Sequence, residues 1–149
     1  VIATASTQKK LDQARQLGAD LLINYAERDF SREVFKMTKG RGVDVVFEHV
    51  GPATFGKSIV SLAKNGTLVT CGATTGPTTE LDLRHVFWKD LSILGARTGT
   101  RAEMETVARL VGERKLKPIV DSVYPLSKAR EAQEKMQSRD LFGKVVLTP

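Results

Sequence analysis

The residues best suited to chemistry follow the first apolar run of the chain, in the segment Ser6-Thr7-Gln8-Lys9-Lys10. Hydroxyl groups donate hydrogen bonds to phosphate oxygens, lysines add positive charge, and a helix that begins here would add free backbone N–H groups. The segment therefore fits an anion such as a phosphate. A helix N-cap followed by a solvated first turn would show the same residue types, and this second interpretation stays open. Lysines at a helix start oppose the helix macrodipole, which favours a binding role.

The other reactive side chains are one cysteine, Cys71, and two histidines, His49 and His85. No local motif pairs the cysteine with a histidine as a catalytic nucleophile, and no ligand spacing connects the three as a zinc site. We therefore assign no catalytic residue and no metal ligand, and we expect Cys71 to be a buried structural thiol. A single cysteine also excludes a disulfide within the chain.

Short apolar runs that alternate with amphipathic stretches must position these residues. We predict strands at 1–5, 21–23, 43–47, 67–70, 91–96, 122–124 and 144–147, and helices at 8–17, 29–38, 54–63, after Thr100 and after Ser127. Asn65-Gly66 predicts a turn before the fourth strand, and Thr100 with Glu103 predicts a capping box for a helix that buries Met104 and Val107. This alternation predicts an α/β fold: a Rossmann-like, doubly wound and mostly parallel sheet with helices on both faces. Ligands of such sheets bind at the carboxyl ends of the strands. The strand ends are therefore the candidate site.

Composition narrows the class of protein further. The chain has 149 residues with 23 Lys and Arg against 17 Asp and Glu, a net charge of +6. The basic residues are spread along the chain and aromatic content is 6 %, so we expect no nucleic-acid partner. No apolar run is long enough for a membrane span and no secretory signal pattern is present, so we expect no membrane partner and a cytoplasmic location. A mild positive charge suits a small anionic ligand.

The same first strand end bears on the choice between two nicotinamide cofactors. In dinucleotide-binding folds, an acid at this strand end would bond the ribose 2′-hydroxyl of NAD and repel the 2′-phosphate of NADP. Ser6 and the following lysines stand where such an acid would be. The sequence therefore favours NADPH over NADH, and it also disfavours a Rossmann-like domain that binds S-adenosylmethionine.

Several segments in order resemble the medium-chain dehydrogenase/reductase family, on its zinc-type alcohol dehydrogenase and quinone oxidoreductase-like branch. The segments that carry the resemblance are IATAS at 2–6, LGAD at 17–20, GRGVDVVFEHVG at 40–51, LVTCGA at 68–73, FWKDLSILG at 87–95 and FGKVVL at 142–147. The stretch at 40–51 is among the most specific of these motifs. The resemblance covers essentially the whole chain.

This resemblance implies the cofactor-binding portion of an NADPH-dependent oxidoreductase, which transfers hydride to or from a carbonyl, a quinone or an activated alkene. It implies that Ser6, Lys10 and Tyr25 hold the 2′-phosphate, with Val50 and Gly51 on the adenine side. Cys71, Gly72 and Ala73 would lie at the nicotinamide ribose, and the backbone of Leu94, Gly95 and Ala96 at the carboxamide. It also implies a homo-oligomer through strand 92–96 and leaves zinc dependence open.

The chain also departs from the family pattern. Val1 begins at what resembles the second strand, so we expect residues 1–149 to be a partial Rossmann domain without the Gly-rich turn for the pyrophosphate. Residues 122–149 resemble the return to a catalytic domain that this sequence does not contain. An alternative function is therefore a catalytically inactive nucleotide-binding or assembly fragment. If the sheet closed across the missing strand, its order would become flavodoxin-like, 2-1-3-4-5.

Overall fold

The computed structural model describes residues 1–149 and divides into two units, Val1–Arg97 and Thr98–Pro149. The first unit contains β1 (Ile2–Ala5), α1 (Gln8–Gln16), β2 (Leu21–Asn24), α2 (Phe30–Met37), β3 (Val43–Glu48), α3 (Pro52–Ser61), β4 (Leu62–Thr70), α4 (Leu83–Trp88) and β5 (Ser92–Gly95). The second contains α5 (Arg101–Gly112), β6 (Val120–Pro125), a 3-10 turn (Leu126–Lys128), α6 (Ala129–Ser138) and β7 (Lys144–Thr148). The predicted alternation of strands and helices is confirmed.

Every strand pair is parallel, which confirms the α/β, Rossmann-like fold class. The strands form three sheets: β1-β2, β3-β4-β5 and β6-β7. Strands β1 and β3 are not paired with each other, so the flavodoxin-like order is not formed. The two sheets of the first unit are instead connected through their helices. Helix α2 packs on α3, and Lys57 Nζ lies 3.1 Å from the Asp29 carboxylate.

The core of the first unit lies between α3 and its sheet. Ile59, Leu62 and Leu68 are fully buried together there. Leu62 leaves the helix with an extended backbone (φ −69°, ψ 142°) and pairs with Val43 at the start of β4. For this reason α3 ends at Ser61 rather than at residue 63 as predicted. The predicted turn at 65–66 lies inside β4, where Asn65 takes a left-handed backbone (φ 60°).

The turn between α2 and β3 depends on one glycine and one threonine. Gly42 has a left-handed backbone (φ 85°), and a Cβ placed on it would lie 2.7 Å from the Ser61 carbonyl oxygen. Thr38 Oγ1 donates to the Val34 carbonyl at 2.8 Å and accepts from the Gly42 N–H at 2.9 Å. Gly40 has a similar backbone (φ 86°), but its missing side chain would point into open space.

In the second unit, the predicted capping box at the start of α5 is confirmed. Thr100 accepts from the Glu103 N–H, and the Glu103 carboxylate accepts from the Thr100 N–H. The predicted inward face of this helix is wrong, since Met104 is 66 % and Val107 44 % exposed. The periodic pattern is present, but within the second unit no other element packs over these two side chains. No helix of the chain is both long and apolar enough to cross a membrane.

Candidate functional site

The first group of predicted residues lies at the carboxyl ends of β1 and β2. Ala5 pairs with Asn24 across the two strands, and the Tyr25 N–H donates to the Ala5 carbonyl at 3.0 Å. Ser6 and Tyr25 therefore leave neighbouring strands at the same edge. Lys10 stands in the first turn of α1, where its N–H donates to the Thr7 N-cap at 3.4 Å. That first turn contains no acidic residue, so this edge carries hydroxyls and positive charge.

The second group forms a shallow groove of about 480 Å³ at the carboxyl ends of β4 and β5. Backbone bonds extend the sheet beyond its last paired residues, because the Cys71 N–H donates to the Glu48 carbonyl at 3.0 Å and the Ala96 N–H to the Thr70 carbonyl at 2.8 Å. The groove is lined by Thr70, Cys71, Gly72, Ala73, Gly95, Ala96 and Arg97. Small residues leave its backbone accessible, and Arg97 is the one charged residue of the lining.

Sequence reasoning found most of this lining but not all of it. Thr70 and Arg97 were not selected, although each directly flanks a selected segment. Val50, Gly51 and Leu94 were selected and lie outside the lining. Gly51 is nevertheless adjacent to the groove, because a Cβ placed on it would lie 3.2 Å from Ala73 Cα.

The expectation for Cys71 is wrong, because its side chain is exposed. Cys71 follows Thr70, the last paired residue of β4, and its side chain lines the groove at the end of the sheet. No group of three or more His, Cys, Asp or Glu side chains is placed to hold a metal ion.

Sequence reasoning also missed the most polar buried feature beside the groove, the carboxylate of Glu48. This side chain is 4 % exposed. It accepts hydrogen bonds from Val50 N–H at 2.7 Å, Gly51 N–H at 3.1 Å, Thr54 Oγ1 at 2.9 Å and Ser58 Oγ at 2.6 Å. Burial acts to raise the pKa of the Glu48 carboxyl, but the bonds from Ser58, from the two backbone N–H groups and from Thr54 outweigh it and lower the pKa.

The spacing of the hydroxyl residues that follow Glu48 is the sequence signal for this buried carboxylate. Hydroxyl residues follow the acid at six and ten positions, on the same side of α3. The ionised carboxylate thereby fixes the turn at 50–51 to the start of α3.

Parallel strands with glycines, hydroxyls and lysines at their carboxyl ends define the Rossmann-like, nucleotide-binding class of α/β folds. A family model described as zinc-binding dehydrogenase matches residues 1–113, and this chain belongs to that family. The resemblance to zinc-type alcohol dehydrogenases and quinone oxidoreductases is thus confirmed.

Three relatives illustrate the similarity. A crotonyl-CoA reductase of Streptomyces avermitilis is 30 % identical over 97 % of this chain and 36 % of its own length. The solved structure of an NAD-dependent alcohol dehydrogenase is 40 % identical with a TM-score of 0.91, over 100 % of this chain and 43 % of that one. A 2-octenoyl-CoA carboxylase reductase in complex with NADP and 2-octenoyl-CoA is 34 % identical with a TM-score of 0.86, over 98 % of this chain and 37 % of that one. The chain therefore spans less than half of each relative.

Proposed function

We propose that this chain is the cofactor-binding portion of an NADPH-dependent oxidoreductase that transfers hydride to or from a carbonyl, a quinone or an activated alkene. Membership of the zinc-binding dehydrogenase family supports the reaction class. The relatives differ in cofactor, since one structure contains NADP and another enzyme is described as NAD-dependent. The choice of NADPH therefore depends on the edge formed by β1 and β2. Its Ser6 and Lys10, with no acid in the first turn of α1, are the observation that carries the proposal.

When bound, the cofactor supplies or accepts the hydride at its nicotinamide ring. In our proposal, Ser6 and Tyr25 donate hydrogen bonds to the 2′-phosphate and the Lys10 ammonium group neutralises its charge. Val50 and Gly51 lie along the adenine side, and the groove accommodates the nicotinamide end. There the backbone at 71–73 contacts the ribose, and the backbone at 94–96 bonds the carboxamide.

Replacing Lys10 by Glu is the test of the 2′-phosphate assignment. We expect the Kd for NADPH to rise roughly 100-fold, because a favourable charge-assisted bond becomes a repulsion, while the Kd for NADH stays within about twofold. Isothermal titration calorimetry of the full-length protein with both cofactors measures the difference. Lys64→Glu is the matched control, because this exposed lysine pairs with Asp90 away from both groups of site residues. An equal loss of affinity for NADPH and NADH would refute the assignment.

The same titrations separate an assembly fragment from the main proposal, whereas a catalytically inactive nucleotide-binding fragment would still bind the cofactor. Exposed Val45 and Phe47 lie on β3, whose edge facing away from β4 is unpaired, and this favours an assembly fragment as the second candidate. An assembly fragment would bind neither nicotinamide cofactor. Tighter binding of S-adenosylmethionine than of NADPH would contradict both candidates.

We also propose that strand β5 joins two copies of the protein. Its four residues are all exposed and it pairs only with β4. The Ala96 N–H points toward β4, and since N–H groups alternate along a strand, that of Ile93 points outward. Replacing Ile93 by Pro removes this donor and is expected to convert a dimer into a monomer in light scattering after size-exclusion chromatography. A dimer that survives the substitution would contradict an interface built on this edge.

A further inference from the structure

We propose that Thr75 is a positioning residue, whose hydroxyl holds the loop at residues 72–79 (the β4 loop) in the conformation that binds the nicotinamide end of the dinucleotide. This inference rests on the proposed function, because it concerns the groove to which that function assigns the nicotinamide. Thr75 itself does not line the groove. Its role is to hold in place two residues that do, Gly72 and Ala73.

Thr75 ties the β4 loop to the start of α3 by three hydrogen bonds. Its N–H and its Oγ1 both donate to the Val50 carbonyl, each at 2.8 Å. The same Oγ1 accepts from the Ala53 N–H at 3.2 Å. The N-cap residue of α3, Gly51, has no side chain to offer this N–H. The hydroxyl of Thr75 therefore acts as the missing cap and joins two segments that are 22 to 25 residues apart.

These hydrogen bonds hold the β4 loop against the turn after β3, where the two backbones pack closely. A Cβ on Gly51 would lie 3.2 Å from Ala73 Cα, and a Cβ on Gly72 would lie 2.8 Å from the His49 carbonyl oxygen. The two segments thus approach at backbone distance, with no side chains between them. Thr74 Oγ1 adds one bond, to the His49 carbonyl at 3.1 Å. Within the β4 loop, Thr75 is the residue that bonds both the turn and the helix.

Loss of the Thr75 hydroxyl is expected to change affinity through the population of the binding conformation. The residues of the β4 loop at 72–75 are exposed, so little buried surface holds this part of the loop in place. When only a fraction of molecules has the competent conformation, the apparent Kd rises by the inverse of that fraction. Thr75→Val removes both hydroxyl bonds, so we expect the ratio of competent to other conformations to fall roughly 30-fold, or about 2 kcal/mol, and the Kd for NADPH to rise about fivefold from a state that is mostly competent.

The matched control is Thr38, whose hydroxyl also bridges a carbonyl and an N–H but lies at the end of α2. We expect Thr38→Val to lower the thermal midpoint of the full-length protein and to leave the Kd for NADPH unchanged. Thr75→Ser keeps the hydroxyl and is expected to restore the wild-type Kd. A Kd for Thr75→Val within twofold of wild type, or an equal loss in both valine variants, would overturn the proposal.

A measurement on the unaltered protein covers the case in which Thr75→Val fails to fold. The Ala53 amide is expected to be protected from hydrogen exchange, and more strongly so when NADPH is added. Exchange of this amide at the rate of an unstructured peptide would overturn the proposal. If the wild type binds no NADPH at all, the proposed function is wrong. If the wild type binds NADPH and Thr75→Val binds it equally well, only the inference about Thr75 is wrong.

Discussion

Replacing Glu48 by Ala is expected to lower the free energy of unfolding by about 3–5 kcal/mol, because several buried donors lose their acceptor at once. The carboxylate receives bonds from two backbone N–H groups and from the hydroxyls of Thr54 and Ser58. Each buried donor left without a partner costs about 1–3 kcal/mol, and water that enters the cavity recovers part of that cost. Urea denaturation measures the change. Glu80→Ala is the control, because the Glu80 side chain is exposed.

Replacing Glu48 by Gln separates the charge from the shape of the side chain. The pKa of Glu48 is held below its ordinary value of 4.5. The ionised carboxylate therefore stabilises the fold above that value, and its contribution is lost as the pH falls through the lowered pKa of the folded state. Between pH 7 and this acid range, the stability of Glu48→Gln is expected to depend less on pH than that of the wild type. An identical pH dependence would show that the charge contributes nothing.

The second large effect is expected at Gly42, compared with Gly40. Both have left-handed backbones, which cost an L-residue about 1–2 kcal/mol. Alanine at Gly40 meets nothing within 4 Å, whereas alanine at Gly42 would meet the backbone of residues 61–63 at 2.7 to 2.9 Å. Gly40→Ala should therefore lower the free energy of unfolding only by the cost of the left-handed backbone. Gly42→Ala should lower it by at least about 3 kcal/mol, because the backbone around Leu62 must also shift. Denaturant titrations of the two variants give the difference, and equal losses would contradict a steric role for Gly42.

The fold could be predicted from the sequence wherever local pattern determines structure. Apolar runs bounded by glycines, such as Gly40 and Gly42 before β3, gave both the type and the order of the elements. Boundaries set by tertiary contacts could not be predicted in this way. Leu62 is apolar and fits the helical pattern of α3, yet it pairs with Val43 and begins β4. Helix α4 has only six residues, too few to show a period.

In the candidate site, too, local pattern predicts some features and tertiary contacts determine others. Residues at strand ends could be selected, because the carboxyl edge of a parallel sheet is where ligands bind. Cys71, Gly72 and Ala73, which line the groove, could be selected in this way. The contacts of Thr75 could not be predicted, because its partners Val50 and Ala53 lie more than 20 residues away in the sequence. A threonine in a polar loop shows no local sign of such a contact.

The backbone N–H groups at the start of α3 already have hydrogen-bond partners within the first unit. Pro52 has no N–H, Ala53 donates to Thr75, and Thr54 and Phe55 donate to the Gly51 carbonyl. The donors just ahead of the helix are taken by the negative charge of Glu48. The first-turn N–H groups are occupied and the charge buried beside them is negative, so this helix end does not offer the free donors with which a helix N-terminus binds an anion.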